Sequence, residues 1–134
     1  MNVSGLTTIR SRFDSKETMD RLQAEIRAQG MIIFARIDHA TGAAEAGLEL
    51  RPTELIIFGN ARAGTLLMQS VQTVGIDLPL KALVWEDASG TTWLSYNEPS
   101  GIAQRHGVAN AEPVVSKMSA ALSEMSRKAT QNAA

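Results

Sequence analysis

Between Asp14 and Gly30 the apolar residues Met19, Leu22 and Ile26 recur at helical intervals, so this segment predicts an amphipathic helix. Asp14 and Glu17 have the spacing of a capping box, with Ser15 as a rival cap, and Gly30 supplies the stop. Ahead of the helix, from Gly5 to Ser11, Leu6, Thr8 and Arg10 alternate with Thr7 and Ile9, which predicts a short strand with two mixed faces. Behind it, Met31 to Asp38 is dominated by strand formers. Regular alternation puts Met31, Ile33, Ala35 and Ile37 on one face and Ile32, Phe34, Arg36 and Asp38 on the other. The Ala-rich stretch from His39 to Gly47 suits a loop or about two helical turns. Pro52 disfavours helix at Arg51, and Glu54 to Phe58 reads as the next strand.

In the second half, Gly59 to Gly64 reads as a turn and Thr65 as the cap of a helix running through Gln72, with Leu66, Leu67, Met68 and Val71 as its buried stripe. Gly75 and Pro79 close that region. Lys81 to Glu86 and Thr91 to Tyr96 flank Asp87-Ala88-Ser89-Gly90, which predicts a hairpin with Asp at the start of a type I turn and Gly at the left-handed bulge position. Asp87 then opposes Thr91, so Trp85 opposes Trp93 and Leu83 opposes Ser95 on one face, while Ala82, Val84, Leu94 and Tyr96 occupy the other. A short helix is predicted from Ser100 to His106, stopped by Gly107, and a longer one from Pro113 to about Lys128 carrying Val114, Met118, Leu122 and Met125. Residues 129–134 are expected to be a frayed tail. The order of elements favours an α+β fold, a largely antiparallel sheet of four to five strands with helices packed mainly on one face, in a single domain over residues 1–134.

A chain of 134 residues is long enough to bury its own core without disulfides or metals. Its 13 Lys and Arg against 14 Asp and Glu are scattered, which disfavours nucleic acid and anionic membrane as partners. The absence of cysteine removes disulfide frameworks, thiol nucleophiles and thiolate metal sites, so any chemistry must use oxygen or nitrogen groups. The first residues lack a basic start followed by an apolar stretch, and no apolar run approaches a membrane span, so a cytoplasmic location is expected.

Further text is recognisable at Ile37-Asp38-His39-Ala40, Leu55-Ile56-Ile57-Phe58-Gly59-Asn60, Gly64-Thr65-Leu66-Leu67-Met68 and Leu78-Pro79-Leu80-Lys81. It continues at Val84-Trp85-Glu86-Asp87 and Trp93-Leu94-Ser95-Tyr96-Asn97-Glu98-Pro99. Together these segments resemble the domain-of-unknown-function family 302 over about Thr18 to Val108, with the C-terminal helix included. The resemblance implies an antiparallel sheet backed by helices and a homodimer. It implies no reaction and carries over no catalytic residue.

Among candidate chemistry, Gly59 to Thr65 forms a Gly-x-x-x-x-Gly turn between strand and helix, but Leu66 follows Thr65 and the phosphate-binding lysine is missing. Nucleoside triphosphate binding is rejected as the primary reading. An anion held at the helix start with Arg62 as partner survives beside the plainer reading of a capped turn. Asp38 and His39 form the best acid/base candidate, since a carboxylate fixes an imidazole's tautomer. The competing reading has Asp38 bonding nearby amides while His39 opens a loop. His106 before Gly107 suits a helix C-terminus.

His39, His106, Asp38 and Glu49 show no ligand pair at helical spacing, so no metal is expected, nor any cofactor. Gly-x-Ser-x-Gly is absent, which leaves a serine hydrolase unsupported. Tyr96 and Asn97 at a strand exit, and Glu49 with Arg51 before another strand, are candidates for a pocket mouth, whereas Asn97 and Asn60 also serve as turn residues.

The collective feature is aromatic: Phe34, Arg36 and Asp38 are expected to share a sheet face with Trp85 and Trp93. Its cover would be a second subunit, a ligand or a further layer of core. The residues expected to bind are thus Phe34, Arg36, Asp38, His39, Glu49, Asn60, Trp85, Trp93, Tyr96 and Asn97. The leading expectation is a homodimeric module that binds a small molecule or a partner. The alternatives are a small enzyme using Asp38 and His39 and a purely structural protein-interaction domain.

Overall fold

Asp14 starts the first helix as its spacing predicts: its side chain accepts from the Glu17 amide at 2.8 Å, a cap worth about 1 kcal/mol. The computed structural model describes residues 3–132, with elements β1 (Leu6–Arg10), α1 (Ser15–Ala28), β2 (Ile32–Asp38), α2 (His39–Glu45), β3 (Thr53–Gly59), α3 (Ala61–Ser70), β4 (Leu80–Glu86), β5 (Thr92–Asn97), α4 (Pro99–His106) and α5 (Glu112–Thr130). A 3-10 helix, Gln72–Ile76, links α3 to β4. The five strands form one antiparallel sheet in the order β1-β5-β4-β3-β2. This is the α+β architecture read from the element order.

The core lies between one sheet face and the helices. Ile56, Phe58, Ala82, Val84 and Leu94 project from β3, β4 and β5 onto Met19, Leu22 and Ile26 of α1 and Met118, Leu122 and Met125 of α5. Each fully buried Ile, Leu, Val, Phe or Met side chain among them contributes roughly 1.5–3 kcal/mol. The hairpin register holds as expected, with Trp85 opposite Trp93 and Leu83 opposite Ser95. Gly90 takes the left-handed conformation at φ 83° that closes the turn. On the sheet's second face stand Leu55, Ile57, Leu83, Trp85 and Trp93, each partly exposed and outside the core cluster.

Three expectations require correction. In β2 the pairing steps from Ile33 opposite Phe58 to Ala35 opposite Ile57, leaving Phe34 as an extra residue. Beyond this bulge the alternation reverses, so Arg36 pairs with Ile56 and Asp38 with Glu54 on the helix side, while Ile37 joins Leu55 on the second face. Phe34, Arg36 and Asp38 therefore do not share the tryptophan face. Secondly, α3 begins at Ala61 with Asn60 as its cap, four residues before Thr65, and ends at Ser70. Thirdly, α5 runs through Thr130. Ala129 and Thr130 are fully buried, and the Arg12 amide donates to the Thr130 carbonyl at 2.8 Å, so these two residues of the expected tail are held by a contact from the start of the chain. Residues 133–134 of that tail lie outside the described residues.

Candidate functional site

At the end of the sheet where β3 feeds α3, a cavity of ≈ 690 Å³ opens between α3, the 3-10 helix and the first turns of α5. Met31, just ahead of β2, and Phe34 within it line one side, and the β3–α3 junction contributes the stretch from Gly59 to Leu66. Leu78, Pro79 and Leu80 lead into β4, and Pro113, Val114, Lys117 and Met118 complete the wall from α5. Met31, Met68 and Met118 give an apolar lining that adapts its shape through flexible thioether side chains. The glycines keep the packing close: a Cβ at Gly75 would meet the Met68 sulfur at 3.0 Å, and one at Gly59 would meet Pro79 at 3.4 Å.

The strand-to-helix junction is fixed by Asn60. Its Oδ1 accepts from the amides of Arg62 at 3.0 Å and Ala63 at 3.3 Å, and its carbonyl accepts from Gly64 at 3.1 Å. Asn60 thus occupies the amides that a phosphate would use in a nucleotide-binding loop. The charged residues on the lining are Arg62 and Lys117, both exposed at the mouth. Among the described residues no Asp or Glu lines the cavity, and neither cation has an ion-pair partner.

The residues expected to bind fall into several places. Phe34 and Asn60 line this cavity. Arg36 forks onto Glu54 through Nε at 2.9 Å and an η nitrogen at 2.8 Å, and also reaches Gln23 and Asp20 of α1. Asp38 caps α2 by accepting from the Thr41 amide at 3.0 Å, a bond that holds its carboxyl below the usual carboxylate range. His39 is the exposed first residue of α2. Glu49 lines a separate shallow hollow with Ala40, Ala44, Leu48, Leu50 and Arg51. Tyr96 is buried on the core side, where desolvation and then Glu98 push its hydroxyl pKa up. Asn97 ends β5 in an exposed position.

The tryptophans form a second locus. Trp85 donates to Ser95 Oγ at 2.9 Å, and Ser95 Oγ lies 2.8 Å from Thr8 Oγ1. Trp93 donates to Asp87 Oδ2 at 2.8 Å, while Asp87 Oδ1 accepts from the amides of Ser89 and Thr91. The Trp93 bond and then Ser89 hold the Asp87 carboxyl far below its ordinary range.

Sequence reasoning missed a third cluster. His106 Nε2 lies 2.6 Å from Asp77 Oδ2 and its Nδ1 lies 3.0 Å from Thr73 Oγ1, while Arg105 donates to both Asp77 oxygens. This hydroxyl–imidazole–carboxylate chain ties the 3-10 helix to the end of α4. None of its members lines the cavity, although Gly75 and Leu78 beside them do. The available signal was His106 at a helix end, but its partners are 29 and 33 residues distant. Among the described residues no group of three or more His, Cys, Asp or Glu could hold a metal ion.

Comparison with known proteins places this geometry in context. Residues 7–125 match the family model described as "Domain of unknown function DUF302", a wider span than the motifs suggested. A curated relative from Brucella suis biovar 1 (strain 1330), named fluoride-specific ion channel FluC 1, is 52% identical over 114 residues. That match covers 85% of this chain and 45% of the relative. A Brucella abortus biovar 1 (strain 9-941) protein of the same name is also 52% identical over 114 residues, with 42% of its length covered. The chain therefore spans less than half the length of these relatives. The crystal structure of an uncharacterized conserved protein DUF302 from Bacillus stearothermophilus superposes with a TM-score of 0.85 at 17% identity, covering 95% of this chain and 99% of that one. It shows the same fold. No helix among the described residues is long and apolar enough to cross a membrane.

Proposed function

The chain belongs to the DUF302 family, whose description assigns no activity, and from the geometry we propose that it is a module that binds a small apolar molecule in the cavity beside α3. The observation that carries this reading is the cavity itself. Its ≈ 690 Å³ falls within the roughly 300–1,000 Å³ of ligand sites, and its wall is mainly aliphatic and methionine-rich with a few polar groups at the mouth. Arg36 is committed to Glu54 and Asp38 to the α2 cap, which is why the reading rests on binding and not on an Asp38/His39 acid–base pair.

Titration with the neutral fluorophore N-phenyl-1-naphthylamine tests it. Saturable fluorescence enhancement is expected in the unaltered protein. Ala61→Trp, at an exposed position on the cavity wall, should abolish it without lowering Tm. Enhancement that does not saturate, or that survives Ala61→Trp, would overturn the reading.

A second reading rests on a separate observation. Trp85 and Trp93 stack on a sheet face that also presents Leu55, Ile57 and Leu83, and aromatic residues of this kind are enriched at subunit interfaces. A second copy of the chain on this face makes the module a homodimer.

The fluoride-specific channel activity belongs, by name, to proteins of which the matched segment is less than half. We read the shared segment as an accessory domain of those proteins and not as their pore.

A further inference from the structure

We infer that the cavity's ligand is an amphipathic anion, an apolar body bearing one carboxylate, with Arg62 and Lys117 as the groups that receive its charge. This inference rests on the reading of the cavity as a small-molecule site and names the chemistry of its occupant. Two cations stand at the rim of an otherwise apolar wall, on different elements, Arg62 in the first turn of α3 and Lys117 in α5. Among the described residues no acidic side chain lines that wall, and neither cation is paired. An apolar wall below and unpaired positive charge at the rim complement a ligand with a tail and an anionic head. Long basic side chains suit that position, because their methylene stems lie along apolar surface while the charged ends stay in water.

The helix start argues for a carboxylate over a phosphate. Phosphate sites at helix N-termini use several free amides. Here Asn60 already occupies the amides of Arg62, Ala63 and Gly64, through its side chain and its carbonyl. With the Arg62 and Ala63 amides taken by the Asn60 side chain, the first turn has too few free amides to cradle a phosphate, and the charge left to meet an anion is on side chains, which two carboxylate oxygens can share between a guanidinium and an ammonium. The anion considered at this turn on sequence grounds is thereby moved from the backbone to the side chains, and from the helix start alone to a site that includes α5.

Displacement of N-phenyl-1-naphthylamine by decanoate and by decanol, at pH 7 and low ionic strength, tests the inference. Decanoate should displace the probe at a roughly tenfold lower concentration than decanol, the scale expected of two exposed charge pairs together. The preference should shrink as salt is added. In the double variant Arg62→Gln, Lys117→Gln the two competitors should become equivalent while the neutral probe still binds, and Arg62→Lys should preserve the preference. Equal displacement by both in the unaltered protein, or a preference that survives the double variant, would overturn the anion inference and leave the cavity reading standing. Failure of the probe to bind at all would overturn the cavity reading and this inference with it.

Discussion

Trp85 and Trp93 stack across β4 and β5 with ring centroids 6.2 Å apart and planes 27° from parallel, on the face opposite the helices. The stack is held at both ends, since Trp85 donates to Ser95 and Trp93 to Asp87, which also ties the hairpin turn. Two indoles fixed in this way form a preorganised apolar surface, and ordering them on association costs little entropy. If that surface is the interface between two copies, Trp93→Leu removes an anchor of the kind that carries 2 kcal/mol or more, roughly a thirtyfold rise in the dimer dissociation constant. Native mass spectrometry across a dilution series reads this directly. The unaltered protein is expected to be dimeric and the variant to dissociate at higher concentration. A variant as dimeric as its parent would place the interface elsewhere.

The bulge at Phe34 yields a second prediction. By reversing the alternation of β2 it brings Arg36 against Glu54 and α1, where Glu54 holds the guanidinium by two parallel bonds and raises its pKa. Both side chains are about a quarter exposed, at 29% and 24%. Arg36→Ala strands the Glu54 carboxylate and should cost about 1–2 kcal/mol in urea unfolding. Glu54→Ala should cost less, and the double variant should show a coupling energy on the order of 1 kcal/mol. Probe binding in the cavity should be unaffected. An Arg36→Ala variant as stable as its parent would show that the fork contributes nothing to the fold.

These two cases mark where the chain could be read from its letters and where it could not. The β4–β5 hairpin was legible because Asp87 to Gly90 specifies the turn locally and the turn fixes the pairing of Trp85 with Trp93. The α1 cap was legible for the same reason. The bulge was not, because Ile33-Phe34-Ala35 contains no glycine or turn residue to announce an insertion, and one extra residue reverses every later side chain. The start of α3 was misplaced since Gly64, a poor helix residue, drew the boundary past Asn60. Of the residues expected to bind, Phe34 and Asn60 meet in the cavity, while Arg62, considered as an anion's partner, joins Lys117 there only because α5 returns to α3 from some fifty residues on. Local pattern holds no record of such a return.

The Asp77–His106 contact supplies the last prediction. Asp77 sits between the 3-10 helix and β4, beside cavity-lining Leu78, and binds both His106 and Arg105 of α4. The His106 hydrogen bond, with a smaller contribution from Arg105, holds its carboxyl below the ordinary range. A depressed folded-state pKa means that this contribution to stability is fully present above the unfolded carboxylate value of about 3.9 and is lost as pH falls through the lower folded-state value. Asp77→Asn should therefore reduce stability at pH 6 by about 1–2 kcal/mol, as expected for removing a charge-assisted bond to a half-buried group. The difference between variant and parent should narrow as both are taken below pH 4. Because the same contact anchors one wall of the cavity, the variant should also bind N-phenyl-1-naphthylamine several-fold more weakly at pH 6. Urea unfolding at a series of pH values, paired with probe titration, separates the outcomes. A stability loss without weaker binding confines Asp77 to the fold. A loss of both makes the tie between α4 and the 3-10 helix a determinant of the cavity's shape.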